Sequence, residues 1–312
     1  MTGQSAPKGV YAAVSTPVTA SFAPDLPRFL DHCRWLLKNG CDGLAPLGTT
    51  GEANSLHPDD RIRLLQAMNG AGLPMDRVIV GTGSPSLLEA VRLSVSALDS
   101  GADKLLMLPP FYYKEVNEEG LFRFFAGVIE RIRSERPERK PRIFLYHIPQ
   151  MSMVPITLPL VTRLRAEFPG VIVGMKDSGG DFEYTRTFID AVDGFEAFSG
   201  SETLAAATLD AGGWGCISAT TNVSAPVVAN RLTATDLEVR ARLDAEILRI
   251  RSIIAGCHTV SGTKAVLARL KRDSAWARTL PPNVEPPDET VDRLMAELGA
   301  CREFHRHFGD AP

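Results

Sequence analysis

The sequence has no apolar run approaching the ~20 residues that a membrane helix needs. Its first eight residues, Met-Thr-Gly-Gln-Ser-Ala-Pro-Lys, contain no apolar core of a secretory leader. Neither a membrane partner nor export is expected. The five cysteines, Cys33, Cys41, Cys216, Cys257 and Cys301, are odd in number and include no Cys-x-x-Cys pair. That pattern gives no sign of a disulfide framework and fits buried thiols in a reducing, cytoplasmic setting. The six histidines form no His-Glu-x-x-His cluster, and His305 and His307 read as solvated residues of a late helix. No metal and no cofactor is expected. A net charge of −3, with no basic arm or acidic block, gives no sign of a nucleic-acid partner or a disordered charged tail.

What is present is core material, 44% hydrophobic residues, arranged with a regular beat. Short β-branched runs alternate with helical patterns through about the first 230 residues. Strands are expected at 9–16, 43–46, 77–81, 104–108, 142–146, 171–175, 195–199 and 215–217. Helices are expected between them, at 27–39, 58–69, 86–100, 118–132, 158–167, 181–192 and 202–210, with 225–232 closing the series. Eight such units predict an α/β fold, a (β/α)8 barrel, with an open doubly wound sheet as the alternative. The remainder reads as helix only, at 235–254, 262–271 and 290–307, with a Pro-rich connector at 281–287. The expected division is a barrel over residues 1–233 and a C-terminal helical extension over 234–312.

The sixth strand, Val171-Ile172-Val173-Gly174-Met175, ends in Lys176, Asp177 and Ser178. A lysine at the end of a barrel strand sits where that fold places its chemistry. Its amine can form an imine with a ketone, provided it is neutral. A free lysine is neutral in only about 1 molecule in 2,500 at pH 7, so imine chemistry needs burial to depress its pKa. The plainer use is a lysine paired with Asp177 or reaching solvent. The second strand runs into Gly48-Thr49-Thr50-Gly51-Glu52, whose hydroxyls and free amides suit a carboxylate but also suit an ordinary turn. The fifth ends in Tyr146-His147-Ile148-Pro149, and the fourth in Pro109-Pro110-Phe111-Tyr112-Tyr113, a rigid aromatic loop of the kind found at pockets and interfaces.

Together, Gly48-Thr49-Thr50-Gly51-Glu52, Tyr146-His147-Ile148-Pro149 and Gly174-Met175-Lys176-Asp177 resemble the marks of the dihydrodipicolinate synthase / N-acetylneuraminate lyase family. These are pyruvate-dependent Schiff-base barrel enzymes. The resemblance runs over nearly the whole chain, and 213–223 (GWGCISATTNV) is similar to the family's eighth-strand segment. It implies an imine at Lys176, with Tyr146 as general acid/base. Thr49 would link Tyr146 to Tyr113 entering from a neighbouring subunit of a homotetramer, a dimer of dimers. Thr50, with the amides of the Gly48 turn, would hold the carboxylate of a 2-oxo acid, and the carbonyl of Ile217 would line the pocket. The other partner would be an aldehyde.

Departures from the family pattern bear on the substrate. Synthases that take aspartate semialdehyde carry an arginine where this chain has Met151, whereas sialate lyases carry an apolar residue there. Ser178 and Glu202 keep the polar character of the lyases' hydroxyl-binding positions, although each also suits a helix cap or turn, and Ser201 replaces an acid. His147 stands in place of the usual asparagine. The leading expectation is a class I lyase or aldolase acting on a 2-oxo acid with an aldehyde or a 2-oxo-3-deoxy sugar acid. Dehydration or deamination through the same imine is its close variant. The alternatives are dihydrodipicolinate synthase itself, with Lys114 as a substitute cation, a non-catalytic 2-oxo-acid sensor, and a metal-dependent aldolase, for which the sequence offers no ligand cluster.

Overall fold

The computed structural model describes residues 5–308. Residues 1–4, part of the segment read above as lacking a leader, and the last four, included in the expected extension, lie outside that range.

Eight strands alternate with helices along the chain. The first half runs β1 (Gly9–Ala13), α1 (Leu26–Lys38), β2 (Gly43–Ala45), α2 (Pro58–Gly70), β3 (Ile79–Gly81), α3 (Leu87–Asp99), β4 (Lys104–Met107) and α4 (Glu118–Glu135). The second runs β5 (Arg142–His147), a short α5 (Pro149–Ser152), α6 (Leu158–Glu167), β6 (Ile172–Asp177), α7 (Phe182–Ala191), β7 (Glu196–Ser199), α8 (Ala205–Asp210), β8 (Gly215–Ser218) and α9 (Thr221–Thr233). Helix starts carry the caps that the sequence offers. The side chains of Asp25, Ser86, Asn117, Thr157 and Asp181 each accept a first-turn amide, and prolines sit in the first turns of α1, α2 and α6.

All ladders are parallel, in the order β2-β1-β8-β7-β6-β5-β4-β3. A parallel bridge between Leu44 and Val78 joins the two ends, and the Gly81 amide donates to the Pro46 carbonyl at 2.9 Å. The sheet is therefore a nearly closed eight-stranded barrel, not an open one. Its interior layer holds Tyr11, Ile79, Leu106, Phe144, Phe198 and Ile217. Outward residues such as Val10, Leu105, Ile143, Leu145 and Met175 pack under the helices.

Strand β6 breaks its own alternation. Ile172 faces outward and Val173 inward, yet Met175 faces outward again. The ladder with β5 shifts register there, pairing Ile143 with Ile172 but Phe144 with Gly174. A Cβ on Gly174 would lie 2.0 Å from the Glu196 carbonyl oxygen, so only glycine fits the bulge. This one-residue slip turns Lys176 into the barrel, directly beside Tyr146.

Beyond the barrel lie α10 (Leu237–Ala255), α11 (Thr259–Leu270), α12 (Asp288–Gly299) and α13 (Arg302–Phe308). The helix expected at 225–232 begins earlier, at Thr221, and runs through Pro226, which forgoes one helix hydrogen bond. The helix expected at 290–307 is two. The buried Glu246 carboxylate on α10 accepts the amides of Glu303 and Phe304, so a side chain remote in sequence caps the start of α13. The helix expected at 202–210 opens as a 3-10 turn over Glu202–Leu204, capped by Ser201.

Candidate active site

The C-terminal ends of the strands converge on a cavity of about 260 Å³. Lys176 and Tyr146 are paired neighbours across β5 and β6, and both are nearly inaccessible to solvent. The Lys176 Nζ donates to the Tyr146 hydroxyl at 3.2 Å, and that hydroxyl lies 3.4 Å from the Thr49 Oγ1. Burial alone would raise the Tyr146 phenol. The Lys176 charge and the polar contacts with Thr49, Ser178 and Lys176 outweigh it and hold the phenol below its usual range. A more acidic phenol exchanges protons more readily near neutrality, as a general acid/base must.

Asp177 is not the lysine's partner. Its Oδ1 accepts the Gly179 amide and its Oδ2 the Thr185 hydroxyl, both at 2.7 Å. The Thr49–Thr50 turn is braced just as firmly. The Glu52 amide donates to the Thr49 carbonyl at 3.0 Å, and Glu52 adopts a left-handed backbone (φ 54°). The fully buried Glu52 carboxylate pairs with the Lys264 ammonium of α11 and accepts the Leu280 amide at 2.7 Å and the Asn283 side-chain amide at 3.0 Å. The C-terminal helices thus hold the turn from outside the barrel.

His147 has a structural reason. Its Nδ1 accepts the Ile156 amide at 3.1 Å, while its ring stacks 4.6 Å from that of Tyr184, whose hydroxyl donates to the Ile156 carbonyl at 2.6 Å. Burial lowers the imidazole's pKa, against the pull of Asp177, which favours the neutral acceptor form.

Of the residues expected at the site, Lys176, Tyr146, Thr49, Thr50 and Ser178 line the cavity, with Met151 half-exposed at its edge. Gly48 borders a small separate hollow behind Thr49 and Tyr146. Ile217 lies in the packed interior layer. Tyr113 is 73% exposed on the β4–α4 loop, edge-on to Tyr112 and outside the cavity lining of one chain.

Glu202 stands one layer back from the wall, contrary to its expected contact with substrate hydroxyls. Its carboxylate already receives the Ser218 and Thr220 hydroxyls and the Arg251 Nη1, the last at 2.9 Å. Arg251 itself lines the cavity, and sequence reading missed it. It belongs to α10, read only as an extension helix, and nothing local shows that this helix ends over the barrel mouth. Among the described residues, no three His, Cys, Asp or Glu side chains are grouped to hold a metal, and no helix is long and apolar enough to cross a membrane.

Residues 6–299 match the model of the dihydrodipicolinate synthetase family. The chain belongs to that family. It is accordingly a lyase of the aldolase type, as the expectation held. An uncharacterized DapA-like lyase of Chloroflexus aurantiacus is 36% identical over 214 residues, 68% of this chain and 70% of that one. A 4-hydroxy-tetrahydrodipicolinate synthase of Rhizobium meliloti is 32% identical over 276 residues, 87% and 91% of the two chains. Among solved structures, the pyruvate complex of YagE, an E. coli K12 prophage protein of the dihydrodipicolinic acid synthase family, superposes with a TM-score of 0.84. It is 27% identical and covers 95% of this chain and 98% of its own.

Proposed function

We propose that this lyase works through an imine between Lys176 and the ketone of pyruvate or a larger 2-oxo acid. The observation that carries this is the Lys176–Tyr146–Thr49 chain at the cavity wall. The neutral amine adds to the ketone carbon, and Tyr146 passes a proton to the departing hydroxyl, so that water leaves and an iminium remains. In cleavage, the phenolate removes the proton from the substrate's C4 hydroxyl. The C3–C4 bond breaks, its electron pair runs into the iminium to give an enamine, and an aldehyde departs. Protonation at C3 and hydrolysis return pyruvate and the free amine. Condensation is the same path reversed. Thr50, which lines the cavity, and the neighbouring turn amides would hold the 2-oxo acid's carboxylate.

The second partner is proposed to be a hydroxylated aldehyde, so that the full substrate is a 2-oxo-3-deoxy sugar acid. Met151 supports this, because the position that carries an arginine in synthases taking aspartate semialdehyde here offers no charged grip. The synthase reading draws support from the Rhizobium relative's name. Pyruvate release from sugar acids, measured beside synthesis from aspartate semialdehyde, separates the two. A kcat/KM for aspartate semialdehyde above that for every sugar acid tested overturns the sugar-acid reading. The proposed setting is cytoplasmic and the proposed assembly a dimer of dimers, supported by the exposed Tyr112 and Tyr113. The barrel, residues 1–233, is the proposed catalytic unit, completed by the extension, 234–312.

A further inference from the structure

Arg251 is held by one corner and open along an edge. Its Nη1 carries all of its hydrogen bonds, to Glu202 at 2.9 Å, to the Ser218 hydroxyl at 3.1 Å and to the Thr220 hydroxyl at 3.4 Å. Among the described residues, its Nε and Nη2 have no acceptor, although the side chain is about a third exposed (32%) and lines the cavity. The edge left over, Nε with Nη2, is a pair of parallel donors whose spacing matches two oxygens of a carboxylate or phosphate. Glu202, its carboxylate wholly buried, fixes the guanidinium's position without using that edge. The acids that share the cavity wall do not compete for it through their known contacts. Asp177 is held by Gly179 and Thr185, and Asp181 caps α7 through the Glu183 amide at 3.0 Å.

We infer that Arg251 reads a second anionic group at the end of the substrate remote from the ketone. The substrate class narrows to hydroxylated 2-oxo acids that end in a carboxylate or a phosphate. This rests on the imine reading of Lys176, because it assigns the first carboxylate to the Thr50 turn and leaves Arg251 for the far end. Neutral sugar chains would leave the open edge to water.

The test uses three 2-oxo-3-deoxy acids of one chain length, ending in a hydroxymethyl group, its phosphate ester or a carboxylate. The intact protein should release pyruvate from one of the anionic-ended acids with a kcat/KM at least about tenfold above the neutral-ended one, since a charged two-pronged contact contributes about ten- to hundredfold. Which of the two leads tells phosphate from carboxylate. Arg251→Gln should erase that preference, mainly through KM, and Arg251→Lys should restore part of it. Borohydride trapping of pyruvate in the same Arg251→Gln sample should still mark Lys176. Preference for the neutral-ended acid in the intact protein, or an equal loss on all three acids in Arg251→Gln, overturns the inference while leaving the imine standing. No adduct in the intact protein overturns both. If Arg251→Gln does not fold because Glu202 is left buried and alone, the doubly neutral Glu202→Gln, Arg251→Gln protein carries the same comparison.

Discussion

The Glu52–Lys264 pair ties the Thr49–Thr50 turn to the extension, and its removal has a calculable cost. Both side chains are essentially inaccessible to solvent. Glu52→Gln keeps an oxygen for the Leu280 amide but strips the charge that faces the Lys264 ammonium, leaving the Arg278 carbonyl at 2.9 Å as its remaining protein acceptor. Breaking one side of such a pair costs about 3–5 kcal/mol. Deprotonation sets a ceiling. Neutralising a lysine of ordinary pKa near 10.4 at pH 7 costs about 4.6 kcal/mol, and at pH 9.5 only about 1.2. Burial already holds Lys264 below the usual lysine range, against the pull of Glu52. A lysine with a depressed folded pKa contributes increasing stability as pH rises toward its unfolded value, so the Glu52→Gln deficit should shrink with pH. Equilibrium urea unfolding should show a loss of about 3–4.6 kcal/mol at pH 7 that falls to roughly 1 at pH 9.5. Glu52→Gln with Lys264→Met should lose less than the sum of the singles. A deficit that does not change with pH, or strict additivity, would refute the reasoning.

If Tyr146 is the proposed proton carrier, Tyr146→Phe should lower steady-state turnover by about 10²–10⁴; near-normal turnover would remove Tyr146 from the mechanism. His32 is fully buried, and burial drives its imidazole to about 3 from 6.5. Its stabilising effect is complete above pH 6.5 and is lost as pH falls from there, at about 1.4 kcal/mol per pH unit. His147, also depressed, adds to the same window, so urea midpoints should fall between pH 6.5 and 5, and more gently in His32→Gln. An equal slope in both proteins would contradict this. Sedimentation should show at least a dimer if Tyr113 completes a neighbour's site, and a tetramer if the proposed dimer of dimers holds; a fully active monomer would exclude that role.

The eightfold alternation was legible because each strand and helix carries its own period and punctuation. Lys176 and Tyr146 were legible as strand ends, but their orientation was not. Strict alternation from Val173 would point Lys176 out of the barrel, and only the bulge at Gly174, where the Glu196 carbonyl leaves no room for a side chain, turns it inward. The roles of His147, Glu246 and Arg251 were hidden for a common reason. Each depends on a partner distant in the chain or on where another element ends: Tyr184 and Ile156, the start of α13, and the barrel mouth. Glu202 looked like a substrate ligand by position, yet Ser218, Thr220 and Arg251 satisfy its carboxylate before any substrate arrives.

The central claim is the imine at Lys176, and reduction in the presence of pyruvate addresses it directly. Intact protein treated with pyruvate and borohydride, digested and analysed by mass spectrometry, should carry one reduced pyruvyl group, on the peptide containing Lys176. Lys176→Ala should carry none. An unmodified intact protein, or an adduct that persists in Lys176→Ala, would contradict the account.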